Sequence, residues 1–399
     1  MDVPIQQVVF LLLIAAIVAM TARKLRLPYI AGLVLAGIGL SFLPLGVNIP
    51  LTKELVFYTL LPPLIFEAAF YIEWKALRKD LPVIAVFATL GVALSAAVTA
   101  WGMHSFAGWE WSAALAFGTL IAATDPISVI ATFKEAGVHG RLRLLVETES
   151  LINDGTAAVA FAMALAFAAG GGSMGAFDGL RMLLMSVAGG VTCGAVIAWL
   201  ALQLAGRTKD HLIEITFTTI AAWGSFLVAE HFHVSGIIAC MTAGLILGNT
   251  GSLGSISDEG HDAVTAFWEY AAFVANSMVF LLIGMHVAQQ EIQPVWSVAA
   301  TAILFVTLGR AVAIYPCAQL FRRSKLKVKM KHQHVLFWGG LRGALALALA
   351  LGLPEDIPHR DAIITVAFCV VTFSVFVQAT TMEPLLRRFR EIPGRRKKN

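Results

Sequence analysis

The sequence predicts an all-α polytopic membrane protein with about thirteen transmembrane helices. Three observations carry that reading. Apolar residues make up 58% of the 399-residue chain and charged residues only 14%, where a soluble domain carries roughly 25% charged residues. The mean hydropathy is +0.79. The apolar residues also fall in runs close to the roughly 20 residues a helix needs to cross hydrocarbon, divided by charged or glycine- and proline-rich turns.

The first run, 5–22, is followed rather than preceded by basic residues (Arg23, Lys24, Arg26) and shows no small-residue cleavage site. It is therefore expected to be a retained span, not a signal peptide. Further spans are expected at 28–45, 53–72, 81–105, 112–136, 143–169, 180–206, 211–230, 234–249, 262–287, 293–321, 331–353 and 359–386. Only a turn around Glu230, His231 and His233 separates the eighth from the ninth.

The basic residues fix the expected orientation. Of the 29 Lys and Arg, 24 fall in alternate loops and in the C-terminal stretch, while the opposite loops hold only Lys53, Arg181 and Arg360. The positive-inside rule then puts the N-terminus outside and the C-terminus in the cytoplasm, with 387–399 a short basic tail. The acidic loop from Asn249 to His261 interrupts this pattern without reversing it. The net charge of +4 is thus a topology signal and excludes a nucleic-acid partner. Four cysteines (Cys193, Cys240, Cys317, Cys369) stand singly in apolar segments and read as small core residues, not a disulfide or metal framework.

Subtraction leaves two basic residues inside spans, Arg310 and Arg342, and four buried acids, Glu67, Asp125, Glu149 and Asp154. A carboxylate inside a bilayer persists only if it is paired, hydrated or periodically neutralised. Asp125 precedes Pro126, whose missing N–H and ring break a helical ladder. Gly339-Gly340-Leu341-Arg342-Gly343 offers a second break, in the twelfth span. Two interrupted spans seven apart run in opposite directions, the arrangement that points to a transport site near the midplane. Asp125 and Arg342 carry the right signs to neutralise the half-helix ends meeting there.

On the sixth span, Ser150 and Asp154 share one helical face, as do Glu149 and Asn153. Ser150 and Asp154 supply hard oxygen ligands suited to a dehydrated alkali cation, and Thr124 and Glu67 can add more oxygen. Once the cation leaves, burial favours a proton on Asp154. A single carboxylate that holds either ion but not both is a minimal basis for exchange. Glu149 needs a counter-ion, and Arg310 is the natural one.

These residues also carry a family resemblance. The segment Phe117 to Asp125-Pro126, continuing through Glu149-Ser150-Leu151-Ile152-Asn153-Asp154, resembles the cation/proton antiporters of the NhaP and NHE type. So do Leu61-Pro62-Pro63 through Glu67, Arg310 and the Gly339 to Gly343 motif. The resemblance implies two inverted six-helix repeats, about 5–169 and 211–386, linked by the helix 180–206 within one transmembrane domain, 1–386. It implies a core domain moving against a dimerisation domain, a homodimer in the plasma membrane, and no cofactor beyond the transported Na+ or Li+, or K+, and H+. By motif, Asp154 is the ion- and proton-binding carboxylate, Ser150, Thr124 and Glu67 complete a Na+ site, and Asn153 is its neutral neighbour. Asp125 and Arg342 compensate charge at the crossover, and Glu149 with Arg310 forms a structural ion pair. An Asp stands at the position of Asn153 in electrogenic relatives, so Asn implies electroneutral one-for-one exchange.

Three other readings compete. A K+/H+ antiporter would use the same residues. An intramembrane hydrolase could use Asp125 and Asp154, but H-E-x-x-H is missing and the helix break already accounts for Asp125. A passive cation channel would carry current down a gradient. The remaining polar residues take plainer readings: Glu147 at a cytoplasmic funnel or interface, Glu214 and Glu269 interfacial or capping, the histidine pairs as solvated span ends, Asn276-Ser277 in packing, and Gly170 to Ser173 as an external loop.

Overall fold

A computed structural model shows how the spans assemble. It describes residues 5–25, 28–43, 49–125, 129–130, 133, 137–170, 176–207, 210–250, 258–290, 293–389 and 391. Pro126, most of the glycine run after Gly170 and the end of the basic tail lie outside the described residues.

The helices are α1 (Ile5–Leu25), α2 (Tyr29–Ser41), α3 (Leu55–Phe70), α4 (Trp74–Ala107), α5 (Trp111–Leu120), α6 (Arg141–Gly170) and α7 (Ala176–Ala205). They continue as α8 (His211–His231), α9 (Gly236–Thr250), α10 (Asp258–Val287), α11 (Trp296–Leu320), α12 (Met330–Trp338), α13 (Ala344–Leu351) and α14 (Arg360–Arg388). Eight of the described helices are long and apolar enough to cross a membrane, and the described residues contain no β-strand. The chain is an all-α polytopic membrane protein.

Local chemistry explains where elements depart from the expected bounds. α4 begins at Trp74 rather than 81, which brings Lys75, Arg78 and Lys79 onto its first turns. Its N-terminus is capped from a distance: Asn249 Oδ1 accepts the Trp74 N–H at 2.7 Å, and Asn249 Nδ2 donates to the Ile72 carbonyl at 2.8 Å. A cap supplied from 175 residues away leaves no local sequence signal. Three helices carry a π-helical turn: α3 at Leu55–Leu60, α4 at Phe87–Gly91 and α14 at Ser374–Ala379. In α4 the Ala88 carbonyl within this turn accepts the hydroxyl of Thr156 from α6.

The helices pack in two groups. α11 lies along α4, α5 runs against α4 and α6, and α13 and α14 close that group. α10 packs along α2, while α9 bridges α3, α7 and α8. α13 is the innermost element: every residue from Ala344 to Ala350 is buried. α1 and α7 turn most of their apolar surface outward, including Ile5, Val9, Leu184 and Trp199, as helices facing lipid do.

Candidate functional site

The two expected breaks are present, and they cross. α5 ends at Leu120 and its chain extends to Asp125, while α12 ends at Trp338 and α13 begins at Ala344. Where they meet, Asp125 and Leu341 form an isolated antiparallel bridge, with the Asp125 N–H donating to the Leu341 carbonyl at 2.8 Å. That one bond satisfies two backbone groups that the breaks expose.

Three interrupted helix ends among the described residues meet a charge of the appropriate sign. Arg342 Nη1 donates to the carbonyls of Ala122 and Ala123 at 2.9 and 3.0 Å, just past the C-terminal end of α5. Arg310 does the same for α12, with Nη2 and Nε reaching the Leu336 carbonyl at 3.0 and 3.3 Å. The Asp125 side chain lies over Gly343, the residue before α13, where a Cβ would sit 2.7 Å from the Asp125 carboxyl carbon. Cations therefore sit at the negative ends and an anion at the positive end. Gly343 has no positive φ; glycine is required there because the carboxylate occupies the space of a side chain.

Glu149 and Arg310 make the expected pair, and it is bidentate. Nη1 reaches Oε1 at 2.7 Å and Nη2 reaches Oε2 at 2.8 Å, between side chains only 2% and 7% exposed. Asn153 links this pair to the break. Its Nδ2 donates to Glu149 Oε1 at 3.1 Å and to Thr124 Oγ1 at 2.6 Å, and its Oδ1 accepts the Thr124 N–H at 3.1 Å. Ser150 completes the cluster: its hydroxyl donates to the Thr124 carbonyl and lies 3.0 Å from the Thr124 hydroxyl. The sequence placed these residues on shared helical faces but could not show that Asn153 and Ser150 are spent on holding Thr124.

Asp154 stands apart from this network. Its Oδ1 is buried with no hydrogen-bond partner among the described residues. It borders a cavity of about 50 Å³ whose other polar walls come from Thr124 and Asp125. Leu61, Leu64, Ile65 and Ala68 of α3, Leu151 of α6, and Ala344 to Ala346 of α13 supply the apolar walls. A water needs roughly 10–15 Å³ by this measure, so there is room for a dehydrated cation with a water or two. Oxygen donors without nitrogen or sulfur suit a hard monovalent ion.

Two sequence-derived residues stand differently. Ser150 is close by but does not line the cavity, and neither does Glu67. The lining stripe on α3 runs 61, 64, 65, 68, at helical spacing, and Glu67 falls off it. The sequence reading also missed Asp80, which pairs with Arg141 at 2.7 Å; Arg141 in turn donates to the Leu326 and Lys327 carbonyls. Glu214, expected to be interfacial or capping, is only 1% exposed and sits in the first turn of α8. Glu147 pairs with Arg143, whose Nε lies 2.6 Å from its carboxylate.

Crossed, interrupted helices around a buried carboxylate define a secondary transporter for a small cation. Comparison with known proteins then places the chain. The profile of the family described as "Sodium/hydrogen exchanger, transmembrane" matches residues 9–388. The chain belongs to the sodium/hydrogen exchanger family, whose members are transporters rather than enzymes. It is 36% identical to the Na(+)/H(+) antiporter ApNhaP of Aphanothece halophytica over 91% of this chain and 70% of that one. It is 32% identical to the Na(+)/H(+) antiporter NhaH of Halobacillus dabanensis over 96% and 97%. The fold matches the sodium proton antiporter MjNhaP1 of Methanocaldococcus jannaschii with a TM-score of 0.76, at 19% identity, over 96% of this chain and 98% of that one.

Proposed function

We propose that the chain is a secondary-active Na+/H+ antiporter that exchanges one Na+ or Li+ for one proton by alternating access around Asp154. The observation that supports this most directly is the charge arrangement at the crossing. Arg310 and Glu149 satisfy each other, and Arg342 and Asp125 sit at helix ends of opposite sign. Asp154 is the remaining charge, and it faces the cavity. At the crossing itself Asp125, Glu149 and Asp154 stand against Arg310 and Arg342, with Glu67 outside the cavity wall, and this leaves one surplus negative charge that a single proton or a single Na+ neutralises. The two cargo ions are mutually exclusive for the same reason, so each passage returns the site to neutrality and net charge does not move.

In this reading Asp154 and Thr124 hold the cation, with Ser150 supporting through Thr124 and Glu67 contributing from outside the cavity wall. Asn153 keeps the Thr124 oxygens aimed. α4, α5, α6, α11, α12, α13 and α14 form the moving core, and the remaining helices form the dimerisation domain of a homodimer. The inverted repeats, about 5–169 and 211–386 joined through 180–206, follow from the resemblance, as do the plasma-membrane location and the cytoplasmic C-terminus. No cofactor is needed, because the only chemistry is ion exchange. The names of the relatives weigh for Na+ over K+.

Proteoliposomes with a trapped pH dye test the proposal. Na+ and Li+ are expected to collapse an imposed pH gradient while K+ does not. A response to K+ alone rejects the Na+ assignment, and current without exchange would indicate a channel.

A further inference from the structure

A second and much smaller chamber of about 10 Å³ shares no lining residue with the cation cavity. Its walls include Arg310 and Arg342, Thr307 of α11, Gly340, and Ser374 and Gln378 of α14. Both polar residues of α14 are buried, at 1% and 6% exposure, and belong to the π-helical turn Ser374–Ala379. The turn thus supplies two polar side chains to one small space. Arg342 is 2% exposed, and its Nε is buried without a hydrogen-bond partner among the described residues. Its Nη1 is already committed to the α5 carbonyls.

A buried guanidinium N–H left unmet forfeits the hydrogen bond it had to water. We propose that this chamber is a binding site for one structural water, which accepts from Arg342 Nε and is held by Ser374 and Gln378. The volume matches a single water of roughly 10–15 Å³ by the same measure. A halide is the alternative chemistry, but the chamber is too small for the larger ion, and both guanidiniums already face compensating groups, Glu149 for Arg310 and helix-end carbonyls for both. Ser374 and Gln378 are then positioning residues. They fix the Arg342 plane and so set how the α5 end presents Thr124 to the cavity.

The structural arm of the test is independent of the proposed transport function. A map of the intact protein at a resolution that shows waters is expected to contain one density peak within hydrogen-bond distance of Arg342 Nε. Crystals grown in bromide are expected to show no anomalous peak there. A dry chamber or a bromide peak overturns the assignment. The functional arm rests on the Na+/H+ reading. The double variant Ser374→Ala with Gln378→Met should raise the Na+ KM about tenfold, the equivalent of one unmet hydrogen bond. Its maximal rate should stay within twofold of the parent. An unchanged KM in folded, monodisperse protein overturns the positioning role, and Ser374→Ala alone is read the same way should the double variant not fold. Exchange absent from the parent protein would instead reject the transport proposal and leave the water site standing on its density.

Discussion

Arg310 joins two halves of the site: one guanidinium grips both oxygens of Glu149 on α6 and also the Leu336 carbonyl at the end of α12. Removing it strands a buried carboxylate and uncaps a helix. Arg310→Ala should therefore lower stability by about 3–5 kcal/mol, visible as a fall in the melting temperature in detergent. Replacing both partners, with Arg310→Met and Glu149→Leu, should be milder, because no lone charge remains. A melting curve for Arg310→Ala that overlays the parent rejects this role.

Gly343 is specified by its neighbour rather than by its backbone angles. A methyl group there would collide with the Asp125 side chain. Gly343→Ala should cost about 1–3 kcal/mol by overpacking and should strongly reduce exchange. Gly39→Ala is the control, since a Cβ at that position meets nothing within 4 Å. Equal behaviour of the two variants in vesicle transport would show that the crossing tolerates slack.

Asn153 donates to Glu149 and Thr124 and accepts from the Thr124 N–H. Asn153→Asp replaces the donor facing Glu149 with an acceptor 3.1 Å away. The variant should melt lower than the parent through like-charge repulsion. Melting at or above the parent temperature would mean that the Asn153 amide is not oriented as described.

Electroneutral exchange predicts indifference to voltage. Dye-detected Na+/H+ exchange should run at the same rate when valinomycin and K+ clamp the membrane potential at zero or well away from it. A rate that scales with the clamped potential contradicts one-for-one exchange.

The sequence made the unusual features legible because hydrocarbon is a demanding solvent. A charge or a helix break inside an apolar run needs a cause, so Asp125, Glu149, Asp154, Arg310 and Arg342 identified themselves, and Glu149 with Arg310 could be paired by elimination. Residues already expected to be solvated gave no such signal. Asp80 and Arg141 looked like ordinary loop charges. Distant partners were equally hidden: Asn249 capping α4 and Thr156 reaching Ala88 depend on packing, which no local pattern encodes. Glu67 is drawn toward the cation by its motif alone, while the cavity-lining residues of α3 are Leu61, Leu64, Ile65 and Ala68.

The central claim is that Asp154 releases its proton when Na+ enters the cavity. Isothermal calorimetry of purified protein in two buffers of different ionisation enthalpy measures that release directly. The account predicts about one proton leaving per Na+ bound, and no Na+-dependent release from Asp154→Asn, which should stay folded but fail to exchange. Sodium uptake by the parent protein with no proton released across the titration range would contradict it.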